Sequence, residues 1–417
     1  MPETQTVDRP VPGPDSTRTR RPVSRVLRRA VQWNDWTKAL TAVVAWHVVL
    51  SLTAYVFQGS QHLNYAYPPV LSPQPTPLSH MLRFDALYYV DIVANGYDLR
   101  NKPHLAAFYP LFPLATWVVH KITFAQLGIL GAGLVVNVLG SWFAVVALLR
   151  TARHFIADKT LHWLTPALFL TAPSAYFLHV MYSEALFCAI AFWAYLFALE
   201  RRWVPMGLCL IPLTASRITA ALFVGLCLVE FLRSRGRRRP WSWHLLWFPA
   251  AFAGLGAYWV FLWRLTGNPF ANFAGHRMWP YQVFNPDIFA TWGAEVTAAV
   301  RALRYGPLDA VQVVDHVLPV VALTVVLAVS VYLVVELRGQ GVPLALFGVA
   351  ALVMLSLNSN LVSVHRYVLP LLVVYVGLTV LFARRPAARP VVFGLVFTHM
   401  LAFGFLYASF VSGNWSA

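Results

Sequence analysis

The chain has 417 residues, is 59% hydrophobic and only 12% charged, and has a mean hydropathy of +0.60. That balance excludes an ordinary soluble globular domain and defines a polytopic membrane protein. A net charge of +16 would suit nucleic acid in a soluble protein, but here the Lys and Arg fall in short blocks between apolar runs, so we read them as topology signals and headgroup contacts and expect no nucleic-acid partner.

Residues 1–38 are rich in Pro, Ser, Thr and Arg and lack apolar periodicity, which predicts a disordered basic cytosolic tail. Arg20 and Arg21 resemble a twin-arginine signal, yet a long apolar run follows without a small-residue cleavage site, so a retained first helix is expected. With the basic tail in the cytoplasm, the span 39–57 leads outward and 59–126 forms a first external loop with interfacial helices. This loop holds YPPVLSPQPTP and then RFDALYYVDIVANGY, from Arg83 to Tyr97. In a helix starting near Ser79, Phe84, Leu87, Tyr88 and Asp91 share one face, and Asp85 lies about 100° round from Phe84.

Further apolar runs occupy 127–149, 161–178, 182–199, 203–232, 243–264, 313–336, 341–361, 366–383 and 389–411. Keeping the basic loops inside requires 108–122 to stay at the outer surface and 203–232 to cross twice, broken near Pro212 to Ser216. Alternatively, 108–122 crosses and 203–232 crosses once. Either scheme gives an all-α bundle of about eleven crossings with an external C-terminus. The expected organisation is one transmembrane domain over 39–417, with a second external loop at 265–312 that contains GHRMW and an amphipathic stretch from Asp287 to Arg304. Asp85, His276, Arg277, His365 and Arg366 then fall on one side of the membrane. Cys188, Cys209 and Cys227 sit in apolar runs without metal spacing and read as core thiols.

Asp85 and Asp91 are either solvated acids on an interfacial helix or carboxylates made more basic by aromatic surroundings and able to take a proton from a sugar hydroxyl. Arg217, inside the run TASRITAAL, must be paired or face water. Glu184 is its candidate structural partner, and a lipid phosphate its candidate ligand. His365 and Arg366 are positive residues on the side where they are less expected, which points to an anionic ligand in the outer leaflet; His104, His276 and Arg277 have weaker claims of the same kind. The chain contains no HExxH or DxD metal motif, no phosphate loop and no dinucleotide-binding pattern in a suitable context, so neither a metal nor a nucleotide cofactor is expected.

Five segments in order, RFDALYYVDIVANGY, HLAAFYPLFP, MYSEALF, ASR and HRYVLP, span residues 83 to 370. Their order resembles the integral-membrane C-type glycosyltransferases, specifically the family of the second mannosyltransferase of glycosylphosphatidylinositol assembly and its bacterial relatives. Phe84 stands where that family more usually has Trp. The resemblance implies inverting transfer of mannose, or another sugar, from a polyprenyl-phosphate donor to an extracytoplasmic acceptor, a glycolipid, polysaccharide or protein of the cell envelope, by a multi-pass protein of the plasma (inner) membrane. It implies Asp85 as the catalytic carboxylate with Asp91 secondary, and Arg217, His365 and Arg366 at the donor phosphate. Arg83, His104, Tyr182, Glu184, His276 and Arg277 would bind substrate or support the site. The rival reading from the residues is a transporter or flippase of lipid-linked sugars, which would also use broken helices and intramembrane charge.

Overall fold

Backbone amides in hydrocarbon must be satisfied within the segment that carries them, and the computed structural model of the chain meets that demand with helices. It describes residues 34–58, 77–235, 242–276, 283–305 and 312–413. Among these the only β-type pairing is an isolated bridge between Phe284 and Asn358.

In chain order the α-helices are α1 (Asp35–Gln58), α2 (Ala86–Asn95), α3 (Leu111–Ile122), α4 (Gly128–Phe155), α5 (Leu164–Leu170), α6 (Glu184–Leu199), α7 (Trp203–Thr214) and α8 (Ala220–Arg235). There follow α9 (Trp247–Ala251), α10 (Ala253–Thr266), α11 (Ala271–Gly275), α12 (Ile288–Tyr305), α13 (Leu318–Leu337), α14 (Val342–Ser356), α15 (Val364–Val368), α16 (Leu372–Arg384) and α17 (Arg389–Val411). Five helical stretches are long and apolar enough to cross a bilayer: Asp35–Phe57, Gly128–Phe155, Trp243–Thr266, Val313–Gln340 and Pro386–Val411. Five further apolar helices have 10–17 residues, so the expected count of about eleven crossings depends on these shorter ones.

The centre of the bundle is α4 packed along α6. Gly140 makes this contact possible, because a Cβ there would lie 2.7 Å from the backbone carbon of Ala185. The approach sets the register of Glu184, which opens α6. Further along α4, Trp142 donates to the carbonyl of Trp36 at 2.8 Å, and Arg153, near the end of the helix, pairs with Asp35.

Three sequence expectations change in detail. The first span begins at Asp35, inside the stretch assigned to the tail; residues 1–33 lie outside the described ones. The run 203–232 is interrupted at Ala215–Thr219, which overlaps the expected break near Pro212 to Ser216 and extends it by three residues. No continuous helix begins at Ser79. Only a 3-10 turn, Ser79–Met81, forms there, and α2 starts at Ala86 because Phe84 adopts φ 53°, which ends any helical path before Asp85. The buried face of α2 is Ala86, Tyr89, Val90 and Val93; Leu87, Tyr88 and Asp91 share a face as expected, but Phe84 lies outside the helix.

Helix α3, of 12 residues, rises about 18 Å, short of the roughly 30 Å of a hydrocarbon core. In the second external loop the amphipathic stretch is a helix, α12. It is capped by Asp287, which accepts from Ala290 N–H at 2.9 Å, and is held to the segment before α15 by Trp292 donating to Ser356 and Thr291 to the carbonyl of Asn358.

Candidate active site

Two segments without long-range helical constraint, 80–85 and 179–184, lie beside one another and carry the polar groups of the site. Met181 N–H reaches the carbonyl of Met81, and the Tyr182 hydroxyl donates to the carbonyl of Arg83 at 3.2 Å. Side by side, they bring Asp85, the residue preceding α2, toward Glu184, the first residue of α6.

Arg366, on the short helix α15, joins the two acids. Its Nε donates to Glu184 Oε1 at 2.5 Å and its Nη1 to Asp85 Oδ2 at 2.8 Å. The guanidinium rests on the rings of Tyr182 and Phe177, with centroids at 4.5 and 4.9 Å. Arg217, in the break between α7 and α8, brings Nη1 to 2.7 Å from the same Glu184 Oε1 but without hydrogen-bond geometry. Its guanidinium lies over Tyr367 at 5.2 Å. Glu184 is fully buried and its Oε2 has no hydrogen-bond partner among the described residues. Two acids and two arginines thus form a charge-balanced, largely buried cluster, in which Asp85, with 24% of its side chain exposed, is the most open member and Arg217, at 11%, the next.

The backbone around the cluster is strained. Phe84, just before Asp85, and Ser363, two residues before His365, are non-glycine residues with φ of 53° and 65°. Such conformations cost of order 1–3 kcal/mol each and persist where packing overdetermines them. Arg83 supplies part of that restraint: its Nη2 and Nε donate to the carbonyl of Val411, the last residue of α17, at 3.0 and 3.3 Å. A buried cation at a helix C-terminus is well placed electrostatically, and Arg83 therefore reads as a structural clamp.

The remaining predicted residues separate in space. Asp91 bonds Lys102 at 2.5 Å and Asn95 at 2.7 Å, away from the arginines. His104 meets the ring of Tyr88 edge-on at 5.0 Å; partial burial, helped by Lys102, holds its imidazole below the ordinary value against the opposing pull of Asp91. Burial and the neighbouring Asp85 keep the Tyr88 hydroxyl above the usual phenol value. His276 follows α11, which packs on the 3-10 turn Pro103–Ala107, and lies within electrostatic reach of Asp85. His365 is buried and its carbonyl accepts from Ser174 Oγ at 3.0 Å. Tyr182 is the buried floor under Arg366, and Arg277 lies outside the described residues. Sequence reasoning passed over Tyr88 and Tyr367, whose type is unremarkable among 17 tyrosines, and over His47, His80 and His179. A histidine inside the apolar run of α1 was the available signal.

A groove of about 780 Å³ runs between α3, α4 and α6, and its wall includes Leu186, two residues beyond Glu184. Leu111, Val118, Val136, Phe143, Ile190 and Trp193 are among its walls, which are almost wholly apolar, and it reaches Trp36 at the start of α1. At the other end, Leu111 N–H donates to the carbonyl of Ala215, two residues before Arg217.

Apolar helices around a carboxylate–arginine cluster, with an apolar groove along α4 and α6, define a helical membrane protein with a polar centre. The family described as Mannosyltransferase (PIG-V), a family of glycosyltransferases, matches residues 66–243 of the chain, which supports a PIG-V-like assignment. The matched stretch holds Asp85, Glu184 and Arg217 and ends before Arg366. No curated protein matches the chain.

Proposed function

We propose that the protein transfers mannose, with inversion, from a polyprenyl-phosphate donor to an acceptor hydroxyl on the extracytoplasmic face of the membrane. The observation that carries this reading is the chain Asp85–Arg366–Glu184–Arg217, together with an apolar groove whose wall includes Leu186, two residues beyond Glu184. The isoprenoid tail lies in the groove, where each buried methylene contributes about 0.8 kcal/mol, and the phosphate meets Arg217 at the break between α7 and α8.

The acceptor oxygen attacks the anomeric carbon as the bond from that carbon to the phosphate oxygen breaks. The leaving phosphate keeps the bonding electrons, and Asp85 takes the hydroxyl proton. Arg366 is already engaged by both acids, so it orients Asp85, while Arg217, whose hydrogen bond to Glu184 is incomplete, is the guanidinium available to the phosphate. With two arginines supplying positive charge, transfer does not depend on a metal ion. His276 and Tyr88, near Asp85, face the acceptor side.

The test is transfer from polyprenyl-phosphate mannose in purified protein. Asp85→Asn lowers the rate by about 10²- to 10⁴-fold while folding is retained, and a chelator leaves wild-type transfer unchanged. Wild-type turnover in Asp85→Asn would remove the assignment. Donor movement across vesicles without covalent transfer would instead favour a carrier of lipid-linked sugars.

A further inference from the structure

Behind the site lie three buried histidines with no part in the reaction described above. His179 uses both ring nitrogens: Nδ1 is 2.8 Å from His47 Nδ1 and Nε2 is 3.0 Å from His80 Nε2. The ring of His80 stacks on that of His179 with centroids 5.2 Å apart, and His47 comes from the interior of α1. All three are at most 3% exposed. Because His179 reaches its neighbours through opposite nitrogens, the rings cannot converge on one metal ion.

One proton arrangement satisfies the chain when the rings are neutral. His80 Nδ1 lies 3.0 Å from the carbonyl of Pro77, which can only accept, so the proton sits on His80 Nδ1. His80 Nε2 must then accept from His179 Nε2–H, and His179 Nδ1 from His47 Nδ1–H. His47 Nε2 is left bare, and it has no hydrogen-bond partner among the described residues. A single carbonyl therefore sets the tautomer of three rings.

The placement of this chain gives it a use. His80 and His179 begin the two segments that end at Asp85 and Glu184, so the imidazole pair ties them at one end as Arg366 ties them at the other. Asn137 adds to the same end by donating to the carbonyls of His179 and Val180. We propose that His179, hydrogen-bonded through both ring nitrogens to His47 and His80, is the positioning residue that fixes Asp85 relative to the Glu184–Arg366 clamp. The role rests on the reading of Asp85 as base. It acts through geometry, where a displacement of about 1 Å can cost on the order of 10²-fold in rate.

The experiment combines kinetics with nitrogen-15 spectra of histidine-labelled full-length protein in lipid nanodiscs. His179→Ala is expected to lower kcat roughly 10- to 100-fold with the donor KM within about twofold of wild type. His179→Gln, which can accept from His47 and donate to His80 with one amide, restores most of kcat; filling the space alone would not require a donor and an acceptor, so His179→Leu gives no recovery. In the wild-type spectrum His80 and His47 carry protons on Nδ1 and His179 on Nε2. Undiminished kcat in His179→Ala, equal activities of the Gln and Leu variants, or a different tautomer pattern would overturn the proposal. If the Ala variant does not fold, the Gln–Leu comparison and the wild-type spectrum decide. Asp85→Asn measured alongside separates the two readings: an inactive Asp85→Asn with a fully active His179→Ala ends the positioning role alone, whereas an active Asp85→Asn ends the role of Asp85.

Discussion

At the scale of single residues, the two aspartates that look equivalent in RFDALYYVDIVANGY have different fates. Asp85 shares Arg366 with the fully buried Glu184, while Asp91 lies in a partly exposed pair with Lys102. The energetic consequences differ accordingly. Glu184→Gln leaves Arg217 without its acid and Arg366 with Asp85 alone, and breaking a buried pair in this way costs about 3–5 kcal/mol. We expect that variant to lose folded protein on detergent extraction, read as a lowered melting temperature. Asp91→Asn removes a surface pair worth less than about 1 kcal/mol, and is expected to leave both melting temperature and transfer rate near wild type. A dead Asp91→Asn with normal folding would return that residue to the reaction. The separation of the two acids was not legible in sequence, because it depends on Arg366, 281 positions away from Asp85. The pairing of Arg217 with Glu184 was legible, since an arginine in an apolar run needs an acid and few acids are near.

At the scale of elements, helix packing makes the lipid path. Gly140 lets α4 approach α6, and the shorter α3 leaves a groove along both. Ala189 on α6 is one of the small residues that keep this groove open. Ala189→Phe should partly fill it, raising KM for a long-chain donor by roughly tenfold with little change for a donor of one or two isoprene units. Competition assays with the two chain lengths measure the difference, and equal effects on both would place the lipid elsewhere. The helix through Asp287 to Arg304 was readable from its amphipathic pattern. The start of α2 was not, since periodicity does not reveal that Arg83, tied to Val411, and Phe84, with its positive φ, turn the chain before Asp85.

At the scale of the whole molecule, α1 and α17 pack together, and the end of α17 is tied to the segment that carries Asp85. Arg83 holds the end of α17, and Tyr407 on that helix donates to the carbonyl of Leu50 on α1 at 3.0 Å. The proposed orientation places this end of the bundle outside the cell. A cysteine at exposed Arg100 (Arg100→Cys) should then react with a membrane-impermeant maleimide in intact cells, while Cys188 and Cys227 stay buried. Labelling only after the cells are opened would invert the topology and put the site on the cytoplasmic face.

The sequence by itself determined that this is a helical membrane protein, which segments carry its polar groups, and a family resemblance that the match over residues 66–243 supports. These follow from composition, apolar run length and local order, all one-dimensional properties. Only the tertiary structure decided that Arg366 bridges Asp85 and Glu184, that Asp91 stands apart, and that three histidines from distant parts of the chain form one hydrogen-bonded row. A buried charge or imidazole is tolerable only beside its partner, and which partner is near is set by the packing of helices far apart in sequence.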